Sequence, residues 1–185
     1  FDNNYTLQKF IKITLDKLTE DKVYQKEYSD FVSSMSYAKD LEVITFEKAL
    51  KETQKRGINV CAHVILGLPN ETKQEMLQTA KVLGNLGIDG VKIHLLCVLQ
   101  NTRLTKLYYQ GKIPMMEEDE YVETACDFLE LLPQNVTIHR LAGNGLKPNM
   151  LAPGWLSKKF VVLNKIDKLL EERNSYQSAK LLEHS

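Results

Sequence analysis

Three short stretches of the chain repeat one arrangement, a His flanked by apolar residues: Cys61-Ala62-His63-Val64-Ile65, Lys92-Ile93-His94-Leu95-Leu96 and Thr137-Ile138-His139-Arg140-Leu141. Each reads as a strand, on which side chains alternate between two faces. Split by parity, one face carries Val60, Ala62, Val64, Leu66, Val91, Ile93, Leu95, Val136 and Ile138. The other carries Cys61, His63, Ile65, Lys92, His94, Leu96, Thr137, His139 and Leu141. The first face suits a layer of helices, and the second is polar enough to line a cavity.

Helical periodicity surrounds these strands. Leu7, Phe10, Ile11, Thr14, Leu15 and Leu18 predict a helix over residues 5–32, whereas 29–41, with Ser33, Ser34 and Ser36, reads equally as loop. Thr45 as N-cap predicts a helix through Lys55, ended by Gly57, and a strand over 58–66 follows. Thr72-Lys73-Gln74-Glu75 is a capping box opening a helix that buries Met76, Leu77, Ala80 and Leu83. Gly87 and Gly90 bracket the turn into a second strand, 91–99. Two helices, 102–110 and 117–132, precede the third strand, 136–141. Acidic residues at Glu117 to Glu120 suit the positive end of the second helix, and Pro133 stops it. A turn-rich stretch, 142–154, leads to an amphipathic helix over 156–173 and a polar tail, 174–185, expected to fray.

Strands alternating with helix-length gaps predict a parallel sheet covered by helices on its outer face. The polar inner face fits a curved wall, and three strands make only part of a barrel. The expected organisation is a helical segment over 1–44, a partial parallel (β/α) barrel over 45–175 and a flexible tail over 176–185. Such an arc leaves strand edges that a second copy of the chain could cover.

Composition narrows the class. With 43% hydrophobic and 26% charged residues in 185, the chain is long enough for one domain with a sizeable core. Lys plus Arg equals Asp plus Glu at 24 each, so no basic excess points to nucleic acid. No apolar run approaches the ~20 residues of a membrane span, and a cytoplasmic location is expected. Cys61, Cys97 and Cys126 are widely spaced, form no CxxC pair, and read as structural thiols.

In α/β folds chemistry gathers beyond the carboxyl ends of the strands. Here those ends carry Gly67-Leu68-Pro69-Asn70-Glu71-Thr72, Val98-Leu99-Gln100-Asn101-Thr102 and Ala142-Gly143-Asn144-Gly145. Gly67 either admits a ligand to the backbone or makes a tight turn. The three histidines admit a rival reading, convergence on Zn²⁺ with an open position for water, although no carboxylate ligand accompanies them. A hydrogen-bonded lining His is the commoner state. Lys92, on the face of His94, would meet an anionic group or water.

Arg56-Gly57-Ile58 through Cys61-Ala62-His63-Val64-Ile65-Leu66-Gly67-Leu68-Pro69-Asn70-Glu71-Thr72 resembles the later half of a radical S-adenosylmethionine (radical SAM) enzyme. The nearest resemblance is to a bacterial family of Fe–S oxidoreductases related to the catalytic subunit of Elongator. Lys92-Ile93-His94-Leu95-Leu96-Cys97-Val98-Leu99-Gln100-Asn101-Thr102-Arg103-Leu104, Asp127-Phe128-Leu129-Glu130-Leu131-Leu132-Pro133, Val136-Thr137-Ile138-His139-Arg140-Leu141 and Leu163-Asn164-Lys165-Ile166-Asp167 are similar to that family too. The likeness covers residues 45–177, and Phe1-Asp2-Asn3-Asn4-Tyr5 resembles a segment that follows the family's second barrel strand.

The resemblance implies a partial (β/α)6 barrel, a [4Fe–4S] cluster and S-adenosylmethionine, cleaved to a 5′-deoxyadenosyl radical. It implies that Ile65, Leu66, Gly67, Leu68 and Pro69 meet the adenine part of the cofactor, with backbone at Leu96 and Val98 completing that pocket. His63, Lys92, His94 and His139 would line the substrate side. The family's CxxxCxxC motif is absent from the chain, and three thiolates at that spacing are what hold the cluster. Barrel strands three and four are also expected to be missing between residues 18 and 45. The expectation is therefore an enzyme fragment, inactive alone and binding neither cofactor strongly. The alternatives are a non-catalytic half-barrel interaction module, dimeric through its exposed edges, and a three-His zinc hydrolase. Kinship with Elongator raises RNA as a partner, which the balanced charge does not support.

Overall fold

The computed structural model describes residues 12–15, 43–143 and 149–182. Its centre is a sheet of strands β1 (Lys12–Leu15), β2 (Val60–Leu66), β3 (Gly90–Leu95) and β5 (Thr137–Arg140), in the order β1-β2-β3-β5. β2 runs parallel to β3, and β3 parallel to β5. Helices α1 (Val43–Gln54), α2 (Lys73–Leu86), α3 (Arg103–Tyr109), α4 (Glu118–Glu130) and α5 (Lys159–Glu172) fall between and after the strands. The result is the expected α/β wall: a small parallel sheet with helices on its outer face and no closed barrel among the described residues.

β1 departs from expectation. The periodicity of Lys12-Ile13-Thr14-Leu15 predicts part of a helix over 5–32, yet these residues form an antiparallel strand at the edge of the described sheet, with Lys12 opposite His63 and Leu15 opposite Val60. Its β-branched Ile13 and Thr14 satisfy a two-residue period as well as a helical one. The rest of that helix, the loop expected over 29–41 and the expected gap at barrel strands three and four lie outside the described residues.

The parity split of β2 and β3 describes the core. Val60, Ala62, Val64, Leu66, Val91, Ile93 and Leu95 are all buried. They pack with Met76, Ala80 and Leu83 of α2 and with Tyr121, Ala125, Phe128 and Leu129 of α4 in one apolar cluster. α2 begins at the expected capping box: the Thr72 hydroxyl accepts from the Glu75 amide at 3.3 Å, and the Glu75 carboxylate accepts from the Thr72 amide at 2.7 Å. Gly87 closes the helix in the left-handed conformation that a Cβ would strain. Below the sheet, Asp89 fixes the strand starts. Its carboxylate accepts from the Val60 amide at 2.7 Å, and its carbonyl accepts from the Thr137 amide at 2.9 Å.

Three boundaries differ from the sequence reading. α1 starts at Val43, so Thr45 lies inside the helix rather than capping it. The run expected as one strand over 91–99 divides at Leu96 and Cys97, and Val98–Leu99 (β4) pairs instead with Met150–Ala152 (β6) as an antiparallel ribbon. The tail expected to fray is docked over its described part. Gln177 donates to the Pro133 and Val136 carbonyls at 2.6 and 2.8 Å, and a short helix α6 (Ala179–Leu182) follows. Lys180 on that helix binds the carboxylates of Asp127 and Glu130 at 2.9 and 2.5 Å. Lys73 and Arg173 reach Asp127 as well, at 2.6 and 2.9 Å.

Candidate functional site

The polar sheet face is built from the parallel register. His63 stands opposite Lys92, Ile65 opposite His94, and Cys61 opposite Gly90. The His63 and His94 rings stack with centroids 5.4 Å apart and planes 25° apart. On β5 the register slips: Gly90 pairs with Thr137 and Val91 with Ile138, but Lys92 pairs with Arg140. One residue, His139, is thereby extra, which is the definition of a β-bulge. Its ring lies over Gly90, so close that a Cβ added there would meet it at 2.7 Å. The bulge re-aims Arg140 to the level of Lys92, on the His94 side of the sheet. Alternation had left Arg140 out of the polar face; an inserted residue has no signature in a period-two pattern.

A cavity of about 180 Å³ opens at the strand carboxyl ends, lined by His94, Cys97, Leu99, Arg140, Gly143 and Met150 among others. Its far wall is fastened from behind. The buried Tyr121 hydroxyl donates to the Leu141 carbonyl at 2.5 Å, and its ring packs against Trp155 at 5.6 Å. The Trp155 indole donates in turn to the Met116 carbonyl at 3.2 Å. These contacts hold the turn after β5, and with it Gly143, against α4.

Two buried side-chain polar atoms in the described residues have no hydrogen-bond partner, Nε2 of His94 and Oε2 of Glu71. Burial pushes the His94 imidazole down to about 4, and the nearby charges of His63, Arg140 and Lys92 push the same way. At neutral pH the ring is therefore uncharged and offers one donor and one acceptor. Burial pushes the Glu71 carboxyl up to about 7; a backbone hydrogen bond at Leu68 opposes this and the charge of Glu75 adds to it.

The strand-end loop has the turn geometry its glycine suggests. Gly67 sits at φ +77°, a conformation that favours glycine, but the space its Cβ would take is lined by Met116 and Leu95 at 3.4–3.5 Å. That conformation makes a tight turn at the end of β2. Leu68 and Val98 are buried, while Ile65, Pro69 and Leu96 are half-buried at the rim. The Leu96 amide donates to the Leu66 carbonyl at 3.0 Å, binding the two strand ends together.

The three-His metal centre is not formed. Among the described residues no three His, Cys, Asp or Glu side chains gather to hold a metal ion. Stacked rings aim their nitrogens along near-parallel planes rather than at a common point, and exposed His139 sits at the bulge, beside Gly90. The cysteines do not fit an iron–sulfur cube either. Cys61 is buried in β2, Cys97 lies beyond β3, and Cys126 is in outer helix α4. Burial pushes the Cys126 thiol up to about 11, far from the thiolate a cluster needs.

Comparison with known proteins places this geometry. Residues 88–172, from just before β3 through α5, match the Radical_SAM C-terminal domain. A stretch of 132 residues, 71% of the chain, is 41% identical to the Bacillus subtilis protein YtqA and covers 41% of it. A protein of Methanocaldococcus jannaschii is 40% identical over 134 residues, 72% of this chain and 42% of that one. The archaeal Elp3 of Methanocaldococcus infernus, solved with an N-terminal deletion, shares the fold over 81% of this chain and 35% of its own, with TM-score 0.62 at 18% identity. The chain belongs to the radical SAM superfamily, and its sheet is an incomplete barrel of that type. It spans about two fifths of the length of the curated relatives it matches. No helix among the described residues is long and apolar enough to cross a membrane.

Proposed function

We propose that this chain is the later part of a radical SAM enzyme's barrel, supplying one edge of the S-adenosylmethionine pocket and one wall of the substrate cavity. The observation that carries this reading is the cavity at the carboxyl ends of a parallel sheet, in a chain whose residues 88–172 match the superfamily's C-terminal domain. When bound in a complete enzyme, S-adenosylmethionine at a reduced cluster supplies a carbon radical. The cluster itself must be held by sequence other than this chain's, since the cysteine placement does not suit it. The chain alone is therefore inactive.

The residues present suit a share in the cofactor's pocket. Ile65, Gly67, Leu68 and Pro69 form the end of β2, and half-buried Ile65 and Leu96 offer apolar surface for an adenine ring. Backbone from Leu96 to Val98, where the chain leaves the sheet, completes that edge. His63, Lys92, His94 and His139 then face the substrate. Neutral His94 can orient a polar group through Nε2 without adding charge.

The test uses the full-length protein with its cluster reconstituted. Leu96→Trp, which fills the proposed adenine edge, should weaken S-adenosylmethionine binding by about tenfold or more while iron content stays unchanged. Unaltered affinity in that variant would sink the assignment. One observation favours a second reading, an interaction module that associates through its sheet. β5 is the last strand of the sheet among the described residues, and its outer edge carries no pairing strand. Concentration-dependent dimerisation in sedimentation would support that reading, and a monomer at all concentrations would end it.

A further inference from the structure

The substrate wall has an uneven charge that the whole chain does not. Across the chain 24 basic residues balance 24 acidic ones. On the polar face of β2, β3 and β5 the basic side chains are His63, Lys92, His94, His139 and Arg140, and the face carries no Asp or Glu. The acidic residues of the neighbouring layer, Asp127 and Glu130, are on outer helix α4 and already hold Lys73, Arg173 and Lys180.

Arg140 and Lys92 are half-buried, stand opposite one another in the register, and make no ion pair among the described residues. A cation left half-buried without a counterion is costly unless something else supplies the negative charge. Arg140 borders the 180 Å³ cavity together with His94, whose buried Nε2 also lacks a partner. Of the other lining side chains, Leu95, Leu99, Met150 and Leu156 are apolar and Cys97 is a thiol. The bulge at His139 deepens the case. It spends one residue of strand pairing to bring Arg140 level with Lys92, and re-aiming a side chain is a common use of such bulges.

We propose that this recess binds an oxyanion carried by the substrate, a carboxylate or phosphate group, clamped by Arg140 and hydrogen-bonded by His94, with Lys92 adding positive charge from its place opposite Arg140 in the sheet. A planar guanidinium presents two parallel N–H donors to such a group, and a neutral imidazole protonated at Nε2 adds a third donor. The volume suits a small charged group rather than a whole ligand, since complete small-molecule pockets run to roughly 300–1,000 Å³. The reacting part of the substrate would extend outward, toward the strand-end loops. This inference rests on reading the polar face as the substrate wall of a radical SAM enzyme.

The test begins with the full-length protein, ¹⁵N-labelled at histidine and without cluster or S-adenosylmethionine. Inorganic phosphate is titrated at constant ionic strength, with acetate in parallel to separate phosphate from carboxylate preference. The His94 ring signals, identified by their loss in His94→Gln, should shift saturably with at least one of the two anions. Arg140→Gln should weaken that binding about tenfold, Arg140→Lys less, and Lys81→Gln on the exposed side of α2 not at all. Shifts that fail to saturate, or that are equal in Arg140→Gln and the wild type, would overturn the proposal. A second arm measures S-adenosylmethionine affinity of the reconstituted protein. An unchanged value in Arg140→Gln supports a substrate anion. A parallel loss of phosphate and S-adenosylmethionine binding would mean that the recess holds the cofactor's own carboxylate, and would overturn the substrate assignment. If the reconstituted wild type fails to bind S-adenosylmethionine at all, the radical SAM reading falls, while the anion titration stands or fails on its own.

Discussion

Replacing Asp127 by Asn should destabilise the fold by about 2 kcal/mol at neutral pH and flatten its acid dependence. The carboxylate lies on α4, where Lys73 from α2, Arg173 beyond α5 and Lys180 from α6 all reach it within 2.6–2.9 Å. Burial alone would raise its affinity for protons. Hydrogen bonds and charge from Lys73 and Lys180 outweigh burial and hold the carboxyl down to about 2, against an ordinary value of 3.8. A difference of that size, at about 1.4 kcal/mol per pH unit, is worth about 2 kcal/mol. A group depressed in the folded state contributes stability above its unfolded value. The contribution is complete above about pH 4 and is lost as pH falls toward about 2. The figure should not reach the 3–5 kcal/mol of a broken fully buried pair, because Lys73 and Lys180 are about 40% exposed and can turn to water. Urea unfolding followed by Trp155, the chain's single tryptophan, at pH 7, 4 and 3 provides the measurement. A variant within about 0.5 kcal/mol of wild type at pH 7, with the same acid slope, would show the cluster to be solvated and its geometry energetically idle.

Glu71→Gln acts with the opposite sign. A carboxyl raised from 4.5 to about 7 costs folding stability as pH climbs through that window, so the variant should be more stable than wild type at pH 8, by up to about 3 kcal/mol, and equal to it at pH 4. Equal stability at both pH values would refute the burial of that carboxyl. Gly84→Ala pits two effects against each other. Alanine gains about 1 kcal/mol of helix propensity, but its Cβ would lie 2.7 Å from Cδ of the Pro133 ring, so thermal unfolding should show a net loss. A raised melting temperature would show that α2 and the turn at Pro133 separate easily. The His94 ring, followed by NMR, should titrate near pH 4 in the wild type and somewhat higher in Arg140→Gln. A wild-type midpoint near 6.5 would place the ring in solvent.

Much of this architecture was legible because its signals are local or strictly periodic. The alternation in Val60–Leu66 and Gly90–Leu95 survives because each strand is flanked by helices on one face and a polar cavity on the other. Thr72 and Glu75 cap α2 through contacts three residues apart, which sequence displays directly. What failed depended on distant partners. Nothing in the run of apolar residues after Leu95 reveals that Val98 and Leu99 leave the sheet to pair with Met150–Ala152. The polar tail looked free because its holdfasts, Asp127, Glu130 and the carbonyls at Pro133 and Val136, lie some 40 to 50 residues upstream. The candidate site shows the same division. His63, Lys92 and His94 fall on the polar face as parity predicts, whereas Arg140 arrives there only through a bulge that parity cannot foresee.

The most direct test of the central claim is the iron and sulfide content of this 185-residue chain after anaerobic reconstitution, read beside that of the full-length protein. The account predicts no stoichiometric cluster on the chain, and about four irons and four sulfides on the full-length protein. A four-iron cluster on the chain alone would mean that Cys61, Cys97 and Cys126 converge, contradicting both their placement and the division of labour proposed for this barrel.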